Sequence, residues 1–243
     1  MPTLYIVGTP IGNLEDISFR ALRVLGEVDF ILCEDTRVTK RLLDHYNVKT
    51  PTISCHQHTD ERKEKEIVKL LAAGKNLALV SDAGTPGISD PGGRLIERAL
   101  TELGDDVKIE SVPGPSAVTA ALSISGIPTD KFVFMGFPPH KKGRQTFIKK
   151  VLASEWPVVV YESKHRIIKF LEELKKLNYE LRTKNYEEGD EKIKNKRLTS
   201  VVVCRELSKM HETVYRVDLE SIMEKIKNNQ NDQKGEFTVI IGR

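Results

Sequence analysis

No run of about 18 consecutive apolar residues occurs anywhere in the 243-residue chain, so a membrane-spanning helix is not expected. The N-terminal MPTLYIVGTP has neither a basic region nor a signal-type apolar segment. Secretion and membrane insertion are therefore not expected, and the expected location is cytoplasmic. Cysteine is scarce: Cys33, Cys55 and Cys204 are widely spaced and form no CxxC pair. That usage excludes a disulfide framework and agrees with a reducing compartment. A dinucleotide fingerprint is also missing. The loop VGTPIGN follows the first apolar run, but Gly8 and Gly12 do not fall in a GxGxxG spacing, and Pro10 removes a donor N–H.

Lysine and arginine are absent from VSDAGTPGISDPGG, Val80 to Gly93. A loop that cradles phosphate through backbone N–H groups normally adds a cation, whereas Asp82 and Asp90 would repel phosphate. An ionised Asp only accepts hydrogen bonds, so this loop suits hydroxyls, amines or a positively charged ligand. A ribose and an amino-acid head group fit it better than a triphosphate. The alternative is that both aspartates cap their own turn backbone.

What is present is an ordinary core-forming composition, 39% hydrophobic, in a chain long enough for one large domain or two small ones. Charge is unevenly spread. Met1 to Pro128 holds 14 Lys+Arg against 18 Asp+Glu, a balance of −4, and Thr129 to Arg243 holds 24 against 17, a balance of +7. The second half is the anion-facing half. A polyanion such as RNA, a substrate with several carboxylates, or a merely solvated lysine-rich surface would each produce this asymmetry.

Apolar runs alternate with helical periodicity throughout. LYIVG, DFILCED, NLALVSDAG and VKIESVPG read as strands; ISFRALRVLG, EKEIVKLLAAG and GGRLIERALTELG read as helices, the last two ended by Gly74 and Gly104. PSAVTAALSISG starts as a helix at Pro115 and stops at Gly126. KFVFMGF, WPVVVYES, LTSVVVCREL and EFTVIIGR continue as strands, separated by the helices RQTFIKKVLAS, RIIKFLEELKKL and LESIMEKIKN. Strict alternation specifies an α/β class, with ligands beyond the strand C-termini. We expect two α/β lobes: an N-terminal lobe over 1–112, a connecting helix or hinge over 113–128, and a C-terminal lobe over 129–243. EEGDEKIKNKR and KNNQNDQKG, poor in apolar residues, read as solvated loops.

The motifs LYIVGTPIGNLEDISFRAL, CEDTRVTKRLL, HQH, LVSDAGTPGISDPG, VPGPSAVTAALSISGIPTD, FMGFPPHKKGR, YESKHR, RELSK and KGEF follow in this order from Leu4 to Gly242. In that order the chain resembles the ribosomal RNA small subunit methyltransferase I branch of the tetrapyrrole methylase superfamily; SDAGTPGISDPG, EDTR and RELSK are the most specific of these motifs. The resemblance implies two α/β lobes of the tetrapyrrole methylase type with the cofactor cleft between them, commonly in a homodimer. It implies S-adenosylmethionine as methyl donor, and 2′-O-methylation of a cytidine ribose in the decoding region of small-subunit ribosomal RNA, free or in the assembled subunit. Cofactor contacts carried over residue by residue fall at Pro10, Ile11, Asp82, Gly84, Thr85, Ser116 and Ala117, and in the second lobe at Tyr161, Cys204 and Glu236. A sulfonium donor suits an acidic loop free of Lys and Arg, and Gly84 and Gly87 permit close backbone approach.

A ribose hydroxyl is a weak nucleophile, so an acceptor beside it would help. Glu162, His165 and Glu206, in YESKHR and RELSK, are the catalytic candidates. Glu162 and Glu206 sit beside Arg166 and Arg205 and fit a structural ion pair equally, and His165 fits a surface or capping role. Asp35 and Arg37 in EDTR fit either a substrate contact or an interlobe or dimer contact. Cys55, His56 and His58 form a weak zinc pattern with no fourth ligand at standard spacing, so no metal is expected. Lys141, Lys142, Arg144 and Arg166 are the RNA-binding candidates, beside Lys149 and Lys150, with a solvated basic loop as the alternative. Departures from the family pattern are Lys164 where proline is common, Thr59 in place of the usual Asn after HxH, and the stop at Arg243 where many relatives continue with a small helical extension.

Two other functions compete with RNA methylation. A tetrapyrrole or other small carboxylated substrate would keep the fold and donor, and a non-catalytic RNA-binding or assembly protein would bind RNA without the donor.

Overall fold

The computed structural model describes residues 1–55, 61–89, 92–188 and 200–242. These form two compact units, Met1–Ser116 and Ala117–Arg243. The class is α/β, as expected.

In the first unit, β1 (Thr3–Val7), β2 (Phe30–Cys33), β3 (Thr52–Ser54), β4 (Leu77–Leu79) and β5 (Lys108–Val112) form a wholly parallel sheet in the order β3-β2-β4-β1-β5. Strand alternation divides its apolar residues between two faces. Leu4, Ile6, Leu32, Leu77 and Leu79 pack with α3 (Glu61–Ala72) and α4 (Gly93–Leu103). Val7, Ile31, Cys33, Ala78 and Val80 pack with α1 (Phe19–Glu27) and α2 (Thr36–His45). Both faces are covered, which is why these strands read as unbroken apolar runs. Ser18 caps α1, its Oγ accepting from Ala21 N at 3.0 Å, and Asp35 caps α2 through Arg37 N at 2.8 Å. Helix α2 and strand β3 were not anticipated from periodicity.

The second unit begins with α5 (Ala117–Ser125), so the 113–128 segment is divided, with residues up to Ser116 in the first unit. β6 (Val133–Phe134), β7 (Val158–Ser163), β8 (Ser200–Arg205), β9 (Thr213–Tyr215) and β10 (Glu236–Gly242) form a sheet in the order β6-β7-β10-β8-β9. Only β6 and β7 pair in parallel; the other three pairings are antiparallel. β6 is shorter than KFVFMGF suggested, because Gly136 turns the chain at φ 62° immediately after the ladder. One face, with Val158, Val160, Val201, Val203, Phe237, Val239 and Ile241, packs on α6 (Arg144–Ala153), α7 (Ile167–Glu188) and α8 (Leu219–Asn228). On the sheet's other side, α5 packs against β10. Of the two expected solvated loops, Glu187 and Glu188 instead end α7, while 189–199 lie outside the described residues. Lys227 and Asn228 likewise belong to α8. No described helix is long and apolar enough to cross a membrane.

Candidate functional site

The first cluster lies at the C-terminal ends of β1, β4 and β5. The chain leaving β1 and the chain leaving β4 are joined backbone to backbone: Thr9 N donates to Gly84 O at 2.8 Å and Gly84 N to Thr9 O at 3.1 Å. Thr9 Oγ1, buried, donates to Ser81 O at 3.2 Å. The chain leaving β5 comes closer still. A Cβ on Gly8 would lie 2.7 Å from Gly114 Cα, and one on Gly114 would lie 2.7 Å from Gly8 O. Only glycine allows that approach. Of the expected contact residues, Pro10 and Gly84 are buried here, Ile11, Thr85 and Ser116 are half-buried, and Ala117 opens α5. A Cβ on Gly84 would touch Ile11 Cγ2 at 3.5 Å, so these two lie side by side.

Asp82 is exposed, and its Oδ1 accepts from Asp35 N at 3.1 Å. Asp35 caps α2 and meets Arg37 Nη2 at 2.7 Å; the Arg37 guanidinium beside it lowers its carboxyl to about 2. Asp35 and Arg37 are thus engaged with each other at the helix start, and no ion pair of Asp82 occurs among the described residues. Asp90 lies outside the described residues.

The second cluster is a row across the second sheet. Thr238 is paired with Tyr161 on one side and Cys204 on the other, all three on the face away from α6, α7 and α8. Sequence reasoning selected Tyr161 and Cys204 and missed Thr238, which is 5% exposed. Only the strand register identifies it. Burial pushes the Cys204 thiol up to about 11, which makes it a neutral wall rather than a nucleophile.

One step further along the strands, Glu236 pairs with Ser163, and Glu236 N donates to Glu206 Oε1 at 2.8 Å. Lys209 Nζ bridges Glu206 at 3.0 Å and Glu236 at 2.9 Å. Burial alone would raise the Glu206 carboxyl, but the Glu236 N–H and the Lys209 ammonium outweigh it and hold the group below the usual range. Glu206 and Ser208 both have positive φ, 52° and 65°, and a Cβ on Gly235 would strike Glu206 at 2.5 Å. Such left-handed non-glycine residues persist only where their surroundings hold them. Arg205 does so, donating to Lys234 O at 2.7 Å and His211 O at 2.9 Å, and also to Asn231 O.

The third cluster gathers Glu162, Arg144 and Arg166. The Glu162 side chain is wholly buried on the helix side of β7: Oε1 meets Arg166 Nη2 at 2.8 Å and accepts from Ser163 N at 2.8 Å, while Oε2 meets Arg144 Nη1 at 3.4 Å. Strand alternation puts Glu162 with Val158 and Val160, opposite Tyr161, where it is the centre of a buried ion-pair group. Of the two arginines expected to meet RNA, Arg144 is buried and Arg166 half-buried, and both pair with Glu162. Arg144 Nε also donates to Glu173 at 2.6 Å and Nη1 to Pro139 O at 3.2 Å, and Arg166 Nη1 donates to Pro138 O at 3.0 Å. Lys141 and Lys142 are exposed, as are Lys149, Lys150 and, in the turn before α7, His165. His56, His58 and Thr59 lie outside the described residues, and among those described no group of three His, Cys, Asp or Glu is gathered as a metal site.

Comparison with known proteins agrees with the fold. The model of the tetrapyrrole (corrin/porphyrin) methylase family matches residues 3–223. The ribosomal RNA small subunit methyltransferase I of Hydrogenobaculum sp. (strain Y04AAS1) is 39% identical over 242 residues, 99% of this chain and 95% of that protein. The protein of the same name from Thermotoga maritima is 39% identical over 99% of this chain and 98% of its own. That from Vibrio cholerae is 41% identical over 99% and 77%. Among solved structures, diphthine synthase superposes with a TM-score of 0.70 at 15% identity, covering 99% of this chain and 90% of that one. Cobalt precorrin-4 methyltransferase superposes at 0.64 with 17% identity, covering 99% and 94%. At that identity the two structures speak for the fold alone. Family match, near-full-length identity and fold converge, and the chain belongs to the ribosomal RNA small subunit methyltransferase I branch of the tetrapyrrole methylases.

Proposed function

We propose that this chain methylates the ribose 2′-hydroxyl of a cytidine in the decoding region of small-subunit ribosomal RNA. The family's methyl donor is S-adenosylmethionine, and the residues present fit it. The observation that carries the reading is the exposed Asp82 carboxylate on a loop without Lys or Arg, set among the interlocked turns after β1, β4 and β5. Such a surface favours a cation, an amine or ribose hydroxyls and disfavours a phosphate.

When bound, the donor supplies an electrophilic methyl on a sulfonium. The proposed donor contacts are Pro10, Ile11, Asp82, Gly84, Thr85 and Ser116 in the first unit and Ala117, Tyr161, Cys204 and Glu236 in the second. The protein's main task is orientation, which supplies about 7–11 kcal/mol of a barrier when the attacking oxygen is held in line. A proton acceptor adds about 10²–10⁴-fold. Of the three candidates, Glu162 is enclosed by two arginines and Glu206 is engaged by Lys209 and Glu236 N, which leaves the exposed His165 as the proposed acceptor. Lys141 and Lys142, with Lys149 and Lys150, are the proposed phosphate contacts, and a homodimer working in the cytoplasm is the proposed setting.

The test is methyl transfer from labelled S-adenosylmethionine, offered small-subunit particles in one reaction and porphyrinogens in another. Label in the RNA supports the reading. Label in the porphyrinogen replaces it with the tetrapyrrole alternative, and RNA affinity without donor binding replaces it with the non-catalytic one. Within a working enzyme, His165→Ala is expected to lower kcat by about 10²-fold or more with donor affinity unchanged; an unchanged kcat removes His165 from the role.

A further inference from the structure

The loop after β6 carries an aromatic side chain that the fold holds out of its core. Phe137 is 52% exposed, yet the residues after it are anchored. Pro138 O accepts from Arg166 Nη1 at 3.0 Å and Pro139 O from Arg144 Nη1 at 3.2 Å. Both arginines are held in turn by the buried Glu162. Two consecutive prolines fix their own φ and restrict the residue before them to extended backbone. Phe137 is therefore presented on a rigid support.

The ring leans on Tyr161, centroids 5.4 Å apart at 56°, and Tyr161 belongs to the row with Thr238 and Cys204. Phe134 backs Tyr161 edge-on at 4.9 Å. His140, Lys141 and Lys142, all exposed, follow Phe137 within five residues along the chain. A fixed, half-exposed ring that packs on a residue of the proposed donor-side row and is followed in the chain by a run of exposed cations has the composition of a single-strand nucleic-acid platform, in which a base stacks on the ring and its phosphates meet the lysines.

We propose that Phe137 is a nucleobase-stacking residue, which receives the base of the methylated nucleotide or of its immediate neighbour while Lys141 and Lys142 meet the adjoining phosphates. The proposal rests on the RNA-methylation reading and adds a requirement to it. The nucleotide must be unpaired or drawn out of its stack, because a base inside a duplex cannot offer its face to a side chain. Phe137 acts here by binding and positioning substrate, with no part in proton transfer.

The test compares Phe137→Ala, Phe137→Leu and Phe137→Trp in steady-state methylation of small-subunit particles, with S-adenosylmethionine binding followed by calorimetry. Stacking on one base predicts that Phe137→Ala raises KM for the particle by about tenfold or more. Donor affinity should stay within about twofold. Phe137→Trp should return KM to within about threefold of wild type, and Phe137→Leu, apolar but without a π face, should resemble Ala. Leu performing as well as Trp, an unchanged KM for Ala, or a parallel loss of donor affinity would each overturn the proposal. A second arm uses a single-stranded oligonucleotide carrying 2-aminopurine, whose fluorescence wild type should quench on binding and Phe137→Ala should not. Equal quenching by both overturns the proposal. If wild type quenches the oligonucleotide but methylates no particle, the reaction reading fails while the stacking role stands.

Discussion

Gly8 and Gly114 face each other across the ends of β1 and β5 with no room for a side chain on either. Gly8→Ala would drive a methyl against Gly114 backbone at 2.7 Å, and neither partner is a flexible side chain that can yield. The expected cost is about 1–3 kcal/mol of stability, typical of overpacking. Because the displaced turns are those that carry Pro10, Ile11 and Ser116, weaker S-adenosylmethionine binding should accompany it. Urea denaturation and calorimetry check both, and wild-type values for both would mean the close approach is slack. Glu162→Ala makes a different prediction. It leaves Arg144 and Arg166 facing each other without their shared carboxylate, and breaking a buried pair in this way costs about 3–5 kcal/mol. A loss under 1 kcal/mol in the denaturation midpoint would show the arginines relaxing to water. YESKHR offered Glu162 both as acceptor and as ion-pair partner; its burial, which only the face of β7 it occupies reveals, was not legible in the sequence.

At the scale of elements, the strands with long apolar runs and the helices with clear apolar stripes were legible, and so were the stops at Gly74, Gly104 and Gly126. Helix α2 was not, because TRVTKRLLDH is polar overall and buries only Thr39 and Leu43, leaving few apolar residues to read. β3 and β9 have three residues each, too few for alternation to register. The mixed pairing of the second sheet was hidden for another reason. Strand β10 inserts between β7 and β8 from the far end of the chain, and no local periodicity encodes that. It is this insertion that sets Thr238 between Tyr161 and Cys204, so the row was only partly visible in advance. The complete burial of Cys204 also gives a pH prediction. Its thiol is raised from 9.0 to about 11 by burial, so the neutral thiol is the form that the fold favours. The resulting stability is fully present below pH 9, where folded and unfolded thiols are both protonated, and is lost as pH rises toward 11, by about 2–3 kcal/mol in all. Cys204→Ala should flatten this alkaline limb in urea titrations run from pH 8 to 11, and an unchanged slope would contradict the burial argument.

At the scale of the whole molecule, the two halves differ in charge, −4 over Met1 to Pro128 and +7 over Thr129 to Arg243. If the basic half meets RNA phosphate, binding to small-subunit RNA should weaken steeply with salt, and replacing Lys141 and Lys142 together by alanine should reduce the log–log slope by about 2. An unchanged slope would return these lysines to a solvated surface. S-adenosylmethionine affinity should be indifferent to the same substitutions, since neither lysine is among the proposed donor contacts. The central claim joins the two halves in one reaction, and it is tested most directly by mapping. Small-subunit particles from cells lacking this protein are incubated with it and labelled S-adenosylmethionine, and the RNA is then read for ribose methylation nucleotide by nucleotide. One new 2′-O-methyl cytidine in the decoding region, absent without the protein, is the predicted result; label on a base, or none in the RNA, would contradict it.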